Sequence, residues 1–467
     1  MKKKLIILFL VFIFIITSGF GCKLTDKKTQ EAMNPVVLNY WRVWDDSDAF
    51  TNIFDEYKKL HPFVTINYRK FRYSEYEKEL INALAEDRGP DIFSIPSTWI
   101  KKYQSKITPM PATITMAYPV VKGTLKKEVI PELRTTKSIT LKGIKDNFVD
   151  IVYDNIIIKI TDTTTKKATE QVFGLPLYLD TLVMYYNKDL LNNAGIIQPS
   201  SFWNTEFQQS VKKMTKQNTQ GQVIQSGVAL GSSNNIDNFS DILSVLMMQN
   251  GAIMMNDLGQ VTFNSIPETF KEQRYAPGME ALLFYTDFSN PAKEVYSWNE
   301  NLGNALDVFT QGKLALMFGY SYYLQQIRSQ SPKLNFGIAK LPQIEGNSHS
   351  INFANYWVET VSNKSKNADV AWDFIQFAAS AEQVKSYLSA TKRPTALRAL
   401  ITEQLEDMDI GVFAEQSLTA KNWYKGADAD ATEAIIGNMI NSLVAGQEKI
   451  EDIINSGAEK VQQTITK

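Results

Sequence analysis

Residues 36–95 read VVLNYWRVWDDSDAFTNIFDEYKKLHPFVTINYRKFRYSEYEKELINALAEDRGPDIFSI, and the order of elements they encode decides the fold class. Val36 to Trp41 is an apolar run of strand length. Asp48 stands where it can cap a helix, and Phe50, Ile53, Phe54, Tyr57 and Leu60 recur at helical spacing until His61-Pro62 stops them. Val64 to Tyr68 alternates as a second strand. Ser74 and Glu77 have the spacing of a capping box ahead of a stripe of Leu80, Ile81 and Leu84. Gly89-Pro90 breaks the chain, and Asp91 to Ile95 reads as a third strand. Strand, helix, strand, helix, strand predicts a parallel sheet covered by helices, because parallel neighbours need a crossover between them.

Downstream, residues 103–172 are less regular. Ile156 to Ile160 and Gln171 to Phe173 read as paired strands around the Thr-rich TDTTTKKATE, a unit that could be inserted on the first domain. LVMYYN (182–187) is a strand, and KDLLNNAGI (188–196) a short helix closed by Gly195. Helices are expected at 204–217, 238–249 and 303–310, and strands at Leu314 to Phe318 and Asn335 to Lys340. Asn367 can cap a helix that carries Ala371, Phe374, Ile375 and Ala378 on one face, and Ser380 with Gln383 starts the next. Two amphipathic helices close the chain, with Ile435, Ile436, Met439, Ile440, Leu443 and Val444, then Ile450, Ile453, Ile454 and Val461. No repeat of solenoid length is evident.

Upstream, Lys2 to Lys4 form a basic head, and Leu5 to Ile16 follow as an unbroken apolar run. Small residues then lead to Cys22, so residues 1–21 read as a secretory signal. The run is too short to span a bilayer, which takes about 20 residues. Residues 22–34 are polar and aperiodic after the cysteine, as a flexible tether would be. The chain of 467 residues exceeds what one core serves, so two domains are expected. Its 49 basic and 50 acidic residues give a net charge of −1, without the basic excess of a nucleic-acid surface. Cleavage removes three lysines and no acid, taking the charge to −4. The single cysteine permits no intramolecular disulfide. His61, expected at the surface, and His349, in a polar loop, are the only histidines; no ligand spacing accompanies them, so neither a metal site nor a histidine triad is expected. Gly312-Lys313 lacks the remainder of a phosphate loop, and no cofactor is expected.

Five phrases resemble the extracellular solute-binding proteins of ABC importers, above all the carbohydrate-binding group that includes maltodextrin-binding proteins. They are GPDIFSIPSTW (89–99), FGLPLYLDTLVMYYNKDLLNNAGI (173–196), ALDVFTQGKLALMFGYSYYL (305–324), FGIAKLPQIEG (336–346) and SKNADVAWDFIQFAAS (365–380), in the family's order. Residues 103–170 are the departure. The resemblance implies a type II periplasmic-binding-protein-like α/β fold, two lobes joined by crossing segments with a ligand cleft between them. Lobe one would hold residues 35–177 and 338–390, and lobe two 183–335 and 395–467. It further implies a non-enzymatic monomer that closes on a sugar and presents it to a membrane permease. Cys22 resembles the lipobox cysteine of bacterial lipoproteins, with Gly19 where that pattern has leucine; lipidation would hold the protein on the outer face of the membrane. The alternative is a free thiol beside an ordinary cleavage site.

Sugars have apolar faces and polar edges, so a site for them needs aromatic plates and hydrogen-bonding groups. Trp44, Asp45 and Asp46 follow the first strand, where an α/β sheet presents its carboxyl edge, and Trp99 follows the third. Tyr178 and Asp180 lie at the first crossing, where Asp180 matches an acidic sugar-contacting position of maltodextrin-binding relatives. Tyr320 and Tyr322 follow the strand after Gly312-Lys313, and Tyr356-Trp357 and Trp423-Tyr424 fall in later loops. Asn235, Asp237 and Asn238 could meet hydroxyls or cap a helix, Asp45 and Asp46 could be turn residues, and Arg393-Pro394 could belong to a hinge. The same fold with a peptide or polyamine ligand, and a secreted carboxylate-dyad glycosidase, stand as alternatives.

Overall fold

The computed structural model describes residue 29 and residues 31–123, 128–161, 164–446 and 448–465. The signal stretch and Cys22 lie outside the described residues.

The strands β1 (Val36–Arg42), β2 (Val64–Lys70) and β3 (Ile92–Pro96) run parallel in the order β2-β1-β3, with α1 (Thr51–Leu60) and α2 (Tyr73–Ala85) as crossovers. The unit expected from residues 36–95 is therefore formed. Helix α1 buries Ile53 and Tyr57, and α2 buries Tyr76, Leu80, Ala83 and Leu84. Capping differs from the Ser74 expectation: α2 begins at Tyr73, and the Arg72 backbone N–H donates to Glu75 at 3.3 Å. Strand β4 (Ile107–Thr108) lies at the sheet edge.

The irregular region contains an element the sequence did not announce. Strands β5 (Thr113–Lys122) and β6 (Glu128–Lys137) form a ten-pair antiparallel ribbon. Pro119 and Pro131 argue against a strand, yet they face each other here. A two-stranded ribbon has free edges on both sides, where an outward N–H has no partner to lose. The second pair, β7 (Ile157–Thr161) and β8 (Ala168–Val172), matches expectation. The ribbon also overturns the surface placement of His61, which is buried: its Nδ1 lies 3.2 Å from the Ala117 carbonyl, its Nε2 3.2 Å from Asp373, and its ring 4.6 Å from Tyr118.

The chain next forms β9 (Asp180–Thr181), β10 (Val183–Asn187), β11 (Lys216–Gln217), β12 (Val223–Val228), α3 (Phe239–Gln249), β13 (Leu314–Gly319), α4 (Tyr322–Gln330) and β14 (Phe336–Ala339). The second sheet has the order β11-β12-β13-β10-β14. Strand β15 (Asn352–Asn355) leads to β16 (Trp357–Ser362), which enters the first sheet antiparallel between β3 and β4. Trp357 therefore starts a strand rather than sitting in a loop; β16 is buried throughout, so it shows no alternation to read. Helices α5 (Ala368–Ala378), α6 (Ala381–Thr391) and α7 (Gly411–Gln416), strand β17 (Ala420–Lys421), and helices α8 (Ala429–Ala445) and α9 (Ile450–Ile465) complete the chain.

Two hydrophobic cores result. One draws on residues 38–179 and 354–401 with Ala420, the other on 182–353 and 410–461. They form two α/β lobes, and the chain changes core at three places. There β17, β15 and β9 pair into a small sheet of their own. The segment expected to carry the return crossing, 336–346, contributes β14 to the edge of the second sheet, where Gly337 leaves room for the Tyr186 ring. Arg393 packs inside lobe one, 3.0 Å from Asp45.

Candidate functional site

A cavity of about 610 Å³ opens between Lys101, Lys102, Gln104 and Ser105 of lobe one and Ala427 and Asp428 of lobe two. Trp44, Tyr73 and Tyr322 keep aromatic side chains open to solvent, at 45%, 52% and 42%. Trp44 and Tyr73 stack at 5.4 Å with their planes 19° apart, and the edge of Trp357 supports Trp44 at 5.9 Å. Together they make a platform on lobe one at the carboxyl edge of the parallel strands. Burial raises the Tyr73 hydroxyl pKa, and Asp430 and Glu433 of lobe two add to the shift. Tyr322 opens α4 on lobe two, stacked on Tyr320 at 6.1 Å and touched edge-on by Tyr323 at 4.8 Å. Sequence reasoning missed Tyr73. Its signal was an aromatic residue starting the helix after a parallel strand, the same edge that drew attention to Trp44.

Of the remaining candidates, all but the exposed Asp46 are committed to internal contacts. Trp99 is 4% exposed, stacked on Tyr103 at 5.8 Å with Lys102 over its ring, and Trp357 is 5% exposed among Trp44, Tyr73, Tyr76 and Trp99. Trp423 is buried and donates from Nε1 to Ser244 at 3.0 Å. Tyr178 lies under the Arg393 guanidinium at 4.4 Å, and burial pushes its hydroxyl up to about 12. Tyr320 is buried and donates to Asp241 at 2.5 Å. Asp45 accepts from Tyr387 at 2.7 Å and from Arg393 at 3.0 Å; burial raises its pKa, but Arg42 and Arg393 outweigh this and hold it below the usual range. Asp46 is exposed and pairs with Lys70 at 2.9 Å. Asn238 directs Nδ2 to the Tyr323 hydroxyl at 3.4 Å, and Asp237 accepts from that hydroxyl at 2.9 Å. Asn235 braces the loop at Asn299 and Leu302.

Asp180 lies on β9 with both oxygens occupied. Oδ2 accepts from Ser321 Oγ at 2.6 Å and Ser321 N at 3.0 Å, while Oδ1 accepts from Thr181 N at 2.9 Å and Ser321 N at 3.2 Å. Burial raises its carboxyl to about 6 against the opposing pull of Ser321 and Arg393. Asp241 is raised to about 6 by burial, with hydrogen bonds from Tyr320 and Asn355 acting the other way. Glu433 is raised to about 7 by burial, then by Asp241 and Asp430. Burial raises the Asp430 pKa against the pull of the Lys102 charge, and Lys102 is 2.6 Å from Glu77. No metal-holding group of three or more His, Cys, Asp or Glu occurs among the described residues, and no helix among them is long and apolar enough to cross a membrane.

Residues 44–385 match the family described as bacterial extracellular solute-binding protein. The chain belongs to that family. It is a solute-binding protein rather than an enzyme, so a glycosidase reading of its carboxylates is set aside. This solute-binding protein is 22% identical over 365 residues to the galactooligosaccharide-binding protein of Bacillus subtilis, covering 77% of this chain and 73% of the relative. It is 23% identical over 320 residues to a maltooligosaccharide ABC transporter solute-binding lipoprotein of Streptococcus pneumoniae, covering 65% and 69%. Among solved structures, the cyclic alpha-maltosyl-1,6-maltose binding protein of Arthrobacter globiformis superposes with a TM-score of 0.70 at 17% identity, over 92% of this chain and 99% of that one. The fold of this solute-binding protein is the type II periplasmic-binding-protein-like α/β fold.

Proposed function

We propose that this protein captures an oligosaccharide between its lobes and hands it to the permease of an ABC importer. One observation carries the reading: aromatic side chains are left open on both lobes, the stacked Trp44 and Tyr73 on lobe one and Tyr322 on lobe two, and the Tyr73 hydroxyl feels carboxylates of lobe two. The other aromatic candidates are packed. Sugar rings would lie between the two plates, with Asp430 and Glu433 accepting from hydroxyls. Such a ligand touches both walls only when they approach, so it draws an open–closed equilibrium toward the closed form. The lobes would turn about the three crossings near 180–182, 353–356 and 401–423. The ligands named for the relatives, galactooligosaccharide, maltooligosaccharide and cyclic maltosyl-maltose, support this substrate class. In this reading Trp99, Tyr178, Tyr320, Trp357 and Trp423 shape the walls, Asp45, Asp180 and Asn238 hold loops and crossings in place, and Asp46 pairs with Lys70 at the surface. Diacylated Cys22 would anchor a monomer on the outer face of the cell membrane, as two acyl chains suffice for stable attachment.

The test is a melting-temperature screen of the full chain, in mild detergent, against a broad panel of oligosaccharides. A cognate sugar raises the melting temperature through mass action. A panel of sugars without effect, beside a peptide or polyamine that raises it, would defeat the carbohydrate reading. One observation favours a second reading, an amine-bearing ligand. Asp430 and Glu433 have no hydrogen bond or ion pair among the described residues, and both are raised by burial and by neighbouring carboxylates.

A further inference from the structure

We propose that Asp180 is a positioning residue, which sets the Tyr322 plate from the hinge and takes no part in direct ligand contact. This rests on the reading of Tyr322 as a ligand plate. Asp180 belongs to β9, a crossing strand, and pairs with Asn355 of β15, a second crossing strand. Its carboxylate reaches out of the hinge into lobe two and takes hold of one residue, Ser321, through both backbone N–H and side-chain Oγ–H. A carboxylate offers about four lone-pair sites. Thr181 N, Ser321 N on both oxygens and Ser321 Oγ fill them, and the group is buried. A ligand hydroxyl would have to displace one of these donors.

Ser321 is the N-cap of α4, and Tyr322 is the first residue of that helix. The negative carboxylate therefore sits at the positive end of the helix, where anions are favoured. The preceding residue is fixed as well: the Tyr320 hydroxyl donates to Asp241, and its carbonyl accepts from the Tyr185 hydroxyl at 2.7 Å. Against the rise from burial, Asn355 of β15 draws the Asp241 carboxyl pKa down. Residue 321 is thus tied to the crossing strand β9 and residue 320 is held within lobe two, and Tyr322 follows them directly. A turn of β9 during closure carries the plate with it, which couples ring contact to lobe movement without a separate loop rearrangement.

The first readout needs no ligand. In the full chain, D180N removes the ionised acceptor, and amide hydrogen exchange across residues 319–324 should quicken by about tenfold while distant segments keep their rates. Unchanged exchange there overturns the proposal. S321A, which deletes only the Oγ donor, should show a smaller change in the same segment; it carries the test if D180N does not fold. The second readout is affinity for maltotetraose in Y322A, D180N and the double variant. A residue acting through the plate gives a double variant no weaker than Y322A alone. Losses that multiply show direct contact and overturn the proposal. Failure of maltotetraose to bind the parent protein counts against the carbohydrate reading, while the exchange result still decides the positioning role.

Discussion

Trp44 and Trp99 are the same residue type, each following a parallel strand of the first sheet, and they should respond to alanine in opposite ways. A tryptophan presents about 250 Å² of surface, so the 45% of Trp44 left open amounts to about 110 Å². A sugar ring lying on one face would cover roughly half of that, worth about 1.4 kcal/mol at ~25 cal/mol per Å². Full coverage on closure would double it. Trp44→Ala should therefore raise the Kd about tenfold, and no more than about a hundredfold. The ligand-free melting temperature should fall less than for Trp99→Ala, because Trp44 is already 45% open and, of the two rings it packs on, Tyr73 and Trp357, only Trp357 is buried. Trp99 is 4% exposed and stacked on Tyr103, so Trp99→Ala opens a cavity and should cost about 3–5 kcal/mol of stability. Affinity per folded molecule should be nearly retained. Calorimetric titration with the oligosaccharide from the screen, beside urea unfolding of each variant, separates the two effects. Undiminished affinity in Trp44→Ala, or an affinity loss without a stability loss in Trp99→Ala, would refute the reasoning.

Arg42 is buried with Nη2 3.2 Å from Glu359 and Nη1 3.4 Å from Asp45; Arg42→Met leaves Asp45 its Arg393 partner but strands the buried Glu359 carboxylate, and should cost about 3–5 kcal/mol by urea unfolding; a cost below about 1 kcal/mol contradicts this. Burial raises the folded pKa of Asp180 to about 6, above an unfolded value of about 3.9. The folded state therefore binds more protons between those values, and this residue's contribution to stability declines as pH rises from about 4 to about 6. Asp180→Asn should remove that part of the slope, and an unaltered or steeper slope would contradict the sign. Cys22→Ser should move the protein from the membrane fraction to the soluble fraction, and retention on the membrane would end the lipid-anchor reading.

The βαβαβ start was legible because each crossover carried its own periodicity and stop signal, as at Phe50 to His61-Pro62 and at Gly89-Pro90. The β5–β6 ribbon was not: Pro119 and Pro131 mimic strand breakers, and only their mutual pairing in a free-edged ribbon makes them harmless. The same ribbon hid the burial of His61. Strand β16 was opaque because a strand buried on both faces loses its alternation, and its one acid, Glu359, is a buried partner of Arg42 rather than a solvent marker. Among the aromatic candidates, sequence position put forward the exposed Trp44 and Tyr322 together with the buried Trp99, Trp357 and Trp423 and could not separate them. Residue type and strand end are the same for open and for packed rings, and only the fold shows which is which. Asp180 shows the same limit, since its place at the crossing was readable but Ser321, 141 positions away, was not.

Small-angle scattering of the full chain with and without its oligosaccharide tests capture by lobe closure most directly. Saturating ligand should lower the radius of gyration of the wild type, and Tyr322→Ala should weaken the concentration dependence of that change. Tight binding with unchanged dimensions would contradict closure of the two lobes on a shared ligand.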